Sequence, residues 1–499
     1  GAVVRDAANV GERTRAFDIE ASGLAYGLRL EPISHAGGVQ VGSGLGMGLA
    51  MSSVNVVMLA LSPEAEQGFN SAAPQVSDAL GSILFIGNAT VLIRVAGFTI
   101  LTDPTFIHKH EQTWLGGGMH TTRLTDPAIE LADLPPLDFI TMHGVYSWVN
   151  PENRRHIVDL VARYLKPGGI LYVSYNAMPG WSAATPLQRL VIEHARAHPR
   201  RLGAQVSQAK ALIDQLVDAK AYYFASNQDS TVLRSRLDSW AKDKPVYLAH
   251  EYLNASWQAL YHADVVRDFA AAKLDFAASA ELCMNVDPKQ LPDDQRAIVE
   301  AIDDPLLRET VLDYIQNTAF RSDIFIRGAR RMSTARRQQW WDQIGVALTV
   351  PRRFATLGQP VDDPKTGFAS PLLDMLEDGP MSVLELAERN KCPPDAIANV
   401  VALLVWHDQG APFIVSTESP AKAATVRLNT EVAHDAVLND RYQALASPLL
   451  GSGVSSSALQ RLVYHALCER AHPVDRQALT QWIWQVLTDQ GVGTLIRSK

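Results

Sequence analysis

The sequence predicts an α/β protein, on three observations. Residues 138–181 read as strand, loop, helix and strand. Residues 82–104 hold three short β-branched runs broken by turn residues. Most of the chain beyond Trp181 carries helical periodicity. With 499 residues, 47% of them apolar, the chain can bury a large core spread over roughly two to four domains. A formal charge of -8 argues against a nucleic-acid surface, which clusters Lys and Arg. Cys283, Cys392 and Cys468 are far apart with no CxxC pair, so neither a disulfide framework nor a cysteine zinc site is expected. A reducing, cytoplasmic setting is the default.

Residues 1–81 open with a mixed-charge helical stretch, then the uncharged run Val41–Leu61. That run approaches the ~20 residues a membrane span needs, but its Gly, Ser and Asn favour a buried soluble segment, with a membrane span as the alternative. Ser62-Pro63-Glu64 is a helix start. In residues 82–104, Gly87-Asn88 and Ala96-Gly97 separate the β-branched runs, which gives a β-meander. Residues 105–137 are loop-rich. Then Phe139–Met142 reads as a strand ending at His143-Gly144, Tyr146 and Trp148 as an aromatic loop, and Pro151–Leu165 as an amphipathic helix. Lys166-Pro167-Gly168-Gly169 turns the chain into a strand over Ile170–Val173 that ends at Ser174-Tyr175-Asn176. Ligands of such sheets sit at the carboxyl ends of the strands.

Helices are expected over Pro186–His198, Gln205–Phe224 and on to about Ser279, and two more over residues 288–345. The basic run Arg321–Arg337 reads as a solvated face. Pro351–Thr366 is a linker, and the helix–helix–helix–strand order beyond it is that of a winged-helix module. Its third helix, Asp395–His407, is too apolar to read DNA. The remainder is helical. The expected partition is 1–81, an apolar Gly-rich segment; 82–137, meander and loops; 138–204, an α/β half; 205–350, a helical region; 367–418, the winged-helix-like module; and 419–499, a final helical region.

His143-Gly144-Val145-Tyr146-Ser147-Trp148-Val149, the Lys-Pro-Gly-Gly turn, Tyr172–Asn176 and Pro179-Gly180-Trp181 resemble class I S-adenosylmethionine-dependent methyltransferases that carry a methyltransferase regulatory domain, a group that includes protein-lysine methyltransferases. His250-Glu251-Tyr252-Leu253 resembles the start of that regulatory module. The resemblance covers residues 138–499 and implies a partial Rossmann-like sheet, S-adenosylmethionine as cofactor and a protein substrate. Phe85–Thr90, Leu101–Pro104 and Thr122–Pro127 resemble the amino-terminal strands of lactonase-like metallo-β-lactamase-fold hydrolases. Residues 1–81 are similar to a stretch of major facilitator transporters. The resemblances together imply a mosaic of three pieces.

Methyl transfer needs a neutral nucleophile held in line and a base for the proton an amine must lose. His143 is placed to accept that proton. Tyr146 and Trp148 form a cation-tolerant wall, and Tyr175 and Asn176 hold the matching place after the next strand. The plainer reading is a structural loop whose aromatics cover the sheet end. Gly42, Gly44 and Gly46 have the shape of a cofactor-binding turn, but they lie ~100 residues before His143 against roughly 70 for compact strand–helix units. A membrane-helix remnant is the favoured origin for these glycines. His108, His110 and His120 lack a completing acid and read as solvated loop residues, so no metal site is expected. Asp303-Asp304 and Asp362-Asp363 read as surface or capping residues. The two functional alternatives to methyl transfer are a non-catalytic interaction protein and a metal-dependent hydrolase. Oligomeric state is not legible.

Overall fold

The computed structural model describes residues 17–21, 24–28, 82–87, 90–95, 97–116, 119–198, 202–242, 252–254, 256–285, 291–330, 332–357, 369–415, 422–439, 441–469 and 475–491. The segments 41–61 and 362–363 lie outside them, as do Gly42, Gly44 and Gly46. Among the described residues no helix is long and apolar enough to cross a membrane. The first elements are strands β1 (Phe17–Ala21) and β2 (Leu24–Leu28), paired antiparallel where a helical stretch was expected. Phe17-Asp18-Ile19-Glu20 alternates apolar and polar residues, a period of two, and Ser22-Gly23 are turn-forming types.

The meander is present as expected: β3 (Ser82–Gly87), β4 (Thr90–Val95) and β5 (Phe98–Thr102) pair antiparallel in sequence order. A small hairpin, β6 (Gln112–Gly116) and β7 (Met119–Thr122), lies within the stretch expected to be loops. The α/β unit comes next, with β8 (Leu137–Met142), α1 (Pro151–Tyr164) and β9 (Leu165–Asn176). Helix α1 starts at Asn150, whose side chain accepts from the Asn153 N–H, with Pro151 in the first turn. Its Ile157, Val158, Val161 and Tyr164 recur at helical spacing and are buried.

Helices α2 (Thr185–Ala197), α3 (Leu202–Asp218), α4 (Tyr222–Ser226) and α5 (Thr231–Lys242) share a core of Leu187, Val191, Val206, Ile213, Phe224 and Leu233. Then come α6 (His262–Ala270), β10 (Leu274–Ser279), α7 (Asp293–Glu300), α8 (Pro305–Gln316) and β11 (Phe320–Arg327). Asp304 caps α8 by accepting from the Leu307 N–H, the capping role expected of it. Two expectations are corrected here. Residues 274–279 form a strand, not the end of a helix. The run Arg321–Arg337 starts as the interior strand β11, with Arg321 only 4% exposed, and only its described residues from Gly328 on form the expected solvated face.

The central sheet has the order β10-β11-β9-β8-β5-β4-β3. Strands β5, β8 and β9 are mutually parallel, while β4 and β11 run against the other five. Register places Ile140 beside Leu101 on one side and Leu171 on the other. These three are fully buried with Met142, Val173 and Phe325 beneath Ile157 and Val161 of α1 and Val265 and Phe269 of α6. Each such side chain contributes about 1.5–3 kcal/mol over its exposed state, so the sheet centre is the rigid base of the molecule.

Downstream, α9 (Thr334–Gln343), β12 (Ile344–Leu348), α10 (Ser370–Asp378), β13 (Met381–Ser382), α11 (Val383–Arg389) and α12 (Pro394–Trp406) share a second core, and β14 (Gly410–Ile414) pairs with β12. The small sheet is ordered β13-β12-β14, so β12, upstream of the expected linker, joins it. Last come α13 (Lys422–Leu438), a hairpin of β15 (Ala444–Ser447) and β16 (Ser452–Ser455) where only helix was expected, α14 (Ala458–Glu469) and α15 (Arg476–Asp489).

Candidate functional site

The carboxyl ends of β5, β8, β9 and β10 bring together residues from four distant parts of the chain. Asp103 stands just after β5 with φ 38°, a conformation Asp tolerates better than most residues. Its N–H donates to the Thr141 carbonyl at 2.7 Å, and its Oδ1 accepts the His143 N–H at 2.8 Å. Gly144, with φ +72°, lets the chain turn away from β8 directly after His143. The Gly144 N–H donates to Ser174 Oγ at 2.8 Å. His143 Nδ1 lies 3.2 Å from the Tyr172 hydroxyl and 3.3 Å from Ser174 Oγ, and the His143 and Tyr172 rings are nearly parallel. Tyr172 reaches Ser322 Oγ at 3.4 Å, and Ser322 donates to Glu281 Oε1 at 3.2 Å. The result is a continuous polar line, Asp103–His143–Tyr172–Ser322–Glu281.

Burial shapes its charge. Asp103 is pushed up to about 6 by desolvation, against the bond from His143, and desolvation also raises Glu281. Burial lowers the His143 imidazole, which is therefore neutral near pH 7. Its Nε2 has no partner among the described residues. If Nδ1 carries the proton and donates to a neighbouring hydroxyl, Nε2 presents an open lone pair. Half-buried carboxyl groups at the two ends of this line, with a neutral imidazole within it, suit a cationic ligand that loses a proton.

The residues picked from sequence separate into two groups. His143 stands in the line. Asn176 alternates with Tyr175 and so shares the phase of Tyr172 and Ser174; its amide has no side-chain partner among the described residues. Trp148 is half-buried against Trp181 and Trp257. Tyr146 and Tyr175, by contrast, do not line the site. Tyr146 is fully buried, packed against Phe269, with its hydroxyl donating to Asp268 at 2.8 Å. Tyr175 is fully buried on the opposite phase of β9 and donates to Asp323 at 2.5 Å. Both hold the strand ends from behind. Asp103, Tyr172, Glu281 and Ser322 were missed. Leu101-Thr102-Asp103-Pro104, a strand stopping at an acid, was the available signal for the first; nothing local marks Glu281.

Tyr175 belongs to a second, closed network. Asp323 also faces His262 Nδ1 at 3.0 Å and Arg321 Nε at 3.0 Å, and Arg321 bridges onward to Asp313 at 2.7 Å and Glu309 at 3.2 Å. Burial pushes Asp323 up, but the Arg321 charge and the bonds from His262 and Tyr175 outweigh it and hold the carboxyl below its usual range. This network pins β11 to β9, α6 and α8.

Residues 256–262 clasp the site loops. Gln258 donates its N–H to the Ser147 carbonyl and receives Arg154 at its side chain, both at 2.8 Å. The Leu260 N–H donates to the Asn176 carbonyl at 2.9 Å, and the Met178 N–H donates to the Leu260 carbonyl at 2.9 Å. Among the described residues no three His, Cys, Asp or Glu side chains gather to hold a metal. His108 is half-exposed near Asp126 and Glu130, His110 is exposed, and His120 stands on β7 instead of in a loop.

Residues 244–327 match the family model described as "Predicted methyltransferase regulatory domain". The uncharacterized protein sll1526 of Synechocystis is 34% identical over 367 residues, 72% of this chain and 71% of that protein. Among solved structures, PKMT2 from Rickettsia typhi is similar with a TM-score of 0.47 and 18% identity, over 74% of this chain and 75% of that one. The same protein in complex with AdoHcy gives a TM-score of 0.45 and 18% identity, over 69% and 72% of the two chains.

Proposed function

The chain belongs to the family of the Synechocystis protein sll1526, and from that premise we propose that it transfers a methyl group from S-adenosylmethionine to a protein amino group, that of a lysine. One observation carries the reading. The segment matched by the methyltransferase regulatory domain supplies β10, β11 and the clasp over Ser147 and Asn176. It is therefore built into the sheet whose strand ends carry His143.

The residues present fit the cationic end of the cofactor. Asp103 and Glu281 are half-buried carboxyl groups with one hydrogen-bond donor each among the contacts of the polar line, and a positive group close to either would offset its desolvation. When bound, S-adenosylmethionine supplies an electrophilic methyl group. His143, held by Asp103 and Ser174 through backbone N–H groups, accepts at Nε2 the proton that the substrate ammonium must lose. Tyr172 and Ser174 fix the ring, and Asn176 orients the acceptor from the end of β9. The glycine turn of Gly42, Gly44 and Gly46 remains the proposed cradle for the methionine moiety.

Residues 367–418 are read as a winged-helix-like module, with Leu403 and Trp406 exposed on α12. The meander is read as derived from a metallo-β-lactamase-fold hydrolase, and residues 1–81 from a transporter, which keeps the mosaic as part of the proposal. A non-catalytic regulatory role is the second reading, favoured by one feature: β5 ends in Asp103-Pro104 instead of a Gly-rich turn. Transfer of labelled methyl from S-adenosylmethionine to lysine-containing protein separates the two. Label retained at lysine supports the proposal, and no transfer with any acceptor extract favours the second reading.

A further inference from the structure

Three tryptophans from three separate segments meet beside the site loops: Trp148 after β8, Trp181 after β9 and Trp257 in the clasp. The rings of Trp181 and Trp257 lie 4.7 Å apart at 64°, edge to face, with Met178 against them. The guanidinium of Arg236, from α5, sits over the Trp181 ring at 4.3 Å from its centroid. A cation already occupies the one kind of surface that attracts cations by ring quadrupole. The Trp257 indole N–H is buried, with that residue 6% exposed, and finds no acceptor among the described residues. A buried donor left unpaired is destabilising, and the carbonyl of an incoming peptide would satisfy it.

We infer that Trp148, Trp181 and Trp257 form the receiving box for the alkylammonium side chain of a peptide substrate, and that Arg236 holds this place until the substrate displaces it. This rests on the amino-group acceptor proposed above. It adds the residues that select a cation and an internal competitor that sets the threshold for binding. The exchange takes the Arg236 guanidinium off the Trp181 ring face, where a substrate ammonium takes its place. A substrate without positive charge gains nothing from the exchange.

The test is calorimetric titration of the full chain with a short peptide bearing a central lysine, acetylated and amidated at its ends. Arg236→Ala is expected to bind the peptide at least about tenfold more tightly than the unmodified chain, and Arg236→Lys to bind like it. Trp181→Ala in the Arg236→Ala background is expected to lose binding, and Trp181→Phe to regain part of it. Circular dichroism confirms folding, with Arg236→Gln replacing Arg236→Ala if the latter unfolds. Equal binding by the unmodified chain and the Arg236 variants, or none by either, overturns the inference and leaves Arg236 a structural contact. The same samples titrated with S-adenosylmethionine keep the two ideas apart. Cofactor binding without any Arg236 effect sinks the box alone, whereas peptide binding without cofactor binding sinks methyl transfer alone.

Discussion

The main-chain N–H of His143 donates to the Asp103 carboxylate at 2.8 Å, tying together the carboxyl ends of two adjacent parallel strands. This bond anchors a half-buried acid to the main chain of the residue whose imidazole the proposed chemistry uses as a base. It also couples the acid's ionisation to stability and to the charge of the site.

Asp103 titrates at about 6 in the fold against 3.8 ordinarily. Between those values the folded chain holds a proton that the unfolded chain releases, so stability falls as pH rises through this window and levels off above it. The difference corresponds to about 3 kcal/mol at most. Asp103→Asn keeps an acceptor for the His143 N–H and removes the titration. Denaturant midpoints measured across that window should then show a flatter pH dependence than the unmodified chain. Binding of a cationic cofactor should strengthen as pH rises through about 6 in the unmodified chain and not in the variant.

His143→Gln keeps polarity but cannot accept the proton. Turnover is expected to fall about 10²–10⁴-fold with little change in KM. Because burial lowers the imidazole below its ordinary 6.5, the acid limb of kcat/KM should also lie below that value. A variant with unaltered turnover would remove His143 from the mechanism.

Arg321→Met leaves Asp313 and Asp323 buried without their cation, and about 3–5 kcal/mol of stability should be lost in denaturant melts. Tyr175→Phe removes one donor to Asp323, with an expected loss of about 1–3 kcal/mol. Methyl transfer per folded molecule should be unchanged in Tyr175→Phe. A loss of turnover at unchanged stability would return Tyr175 to the site.

Gly180→Ala tests the fit between the loop after β9 and the start of β11. A Cβ there would stand 2.6 Å from Ala319 backbone atoms and the Asn317 carbonyl oxygen. Backbone cannot give way as a side chain tip does, so the melting midpoint should drop by an amount equivalent to about 1–3 kcal/mol.

The strand–loop–helix–strand unit and the meander were legible because short apolar runs and turn residues mark them without help from distant contacts. Strand β11 was not, since its Arg321-Ser322-Asp323 is polar in the interior and only the partners Asp313, His262 and Tyr175 make that tolerable. The site was half legible. His143 and Asn176 are marked by strand ends, but Glu281 arrives through pairing of β10 beyond β11, which no local pattern encodes. The phase of β9 held an unused clue: residues 172, 174 and 176 share one face, and Tyr175 must take the other. Tyr146 carried no comparable signal, because its partner Asp268 comes from a helix far downstream in the chain.

In the proposed function the strand ends around Asp103 and His143 receive S-adenosylmethionine. Calorimetric titration of the purified full chain with S-adenosylmethionine near neutral pH tests it most directly. Saturable heat, weakened by Asp103→Asn, is the expected outcome. Absence of heat at millimolar cofactor in a folded sample would contradict it.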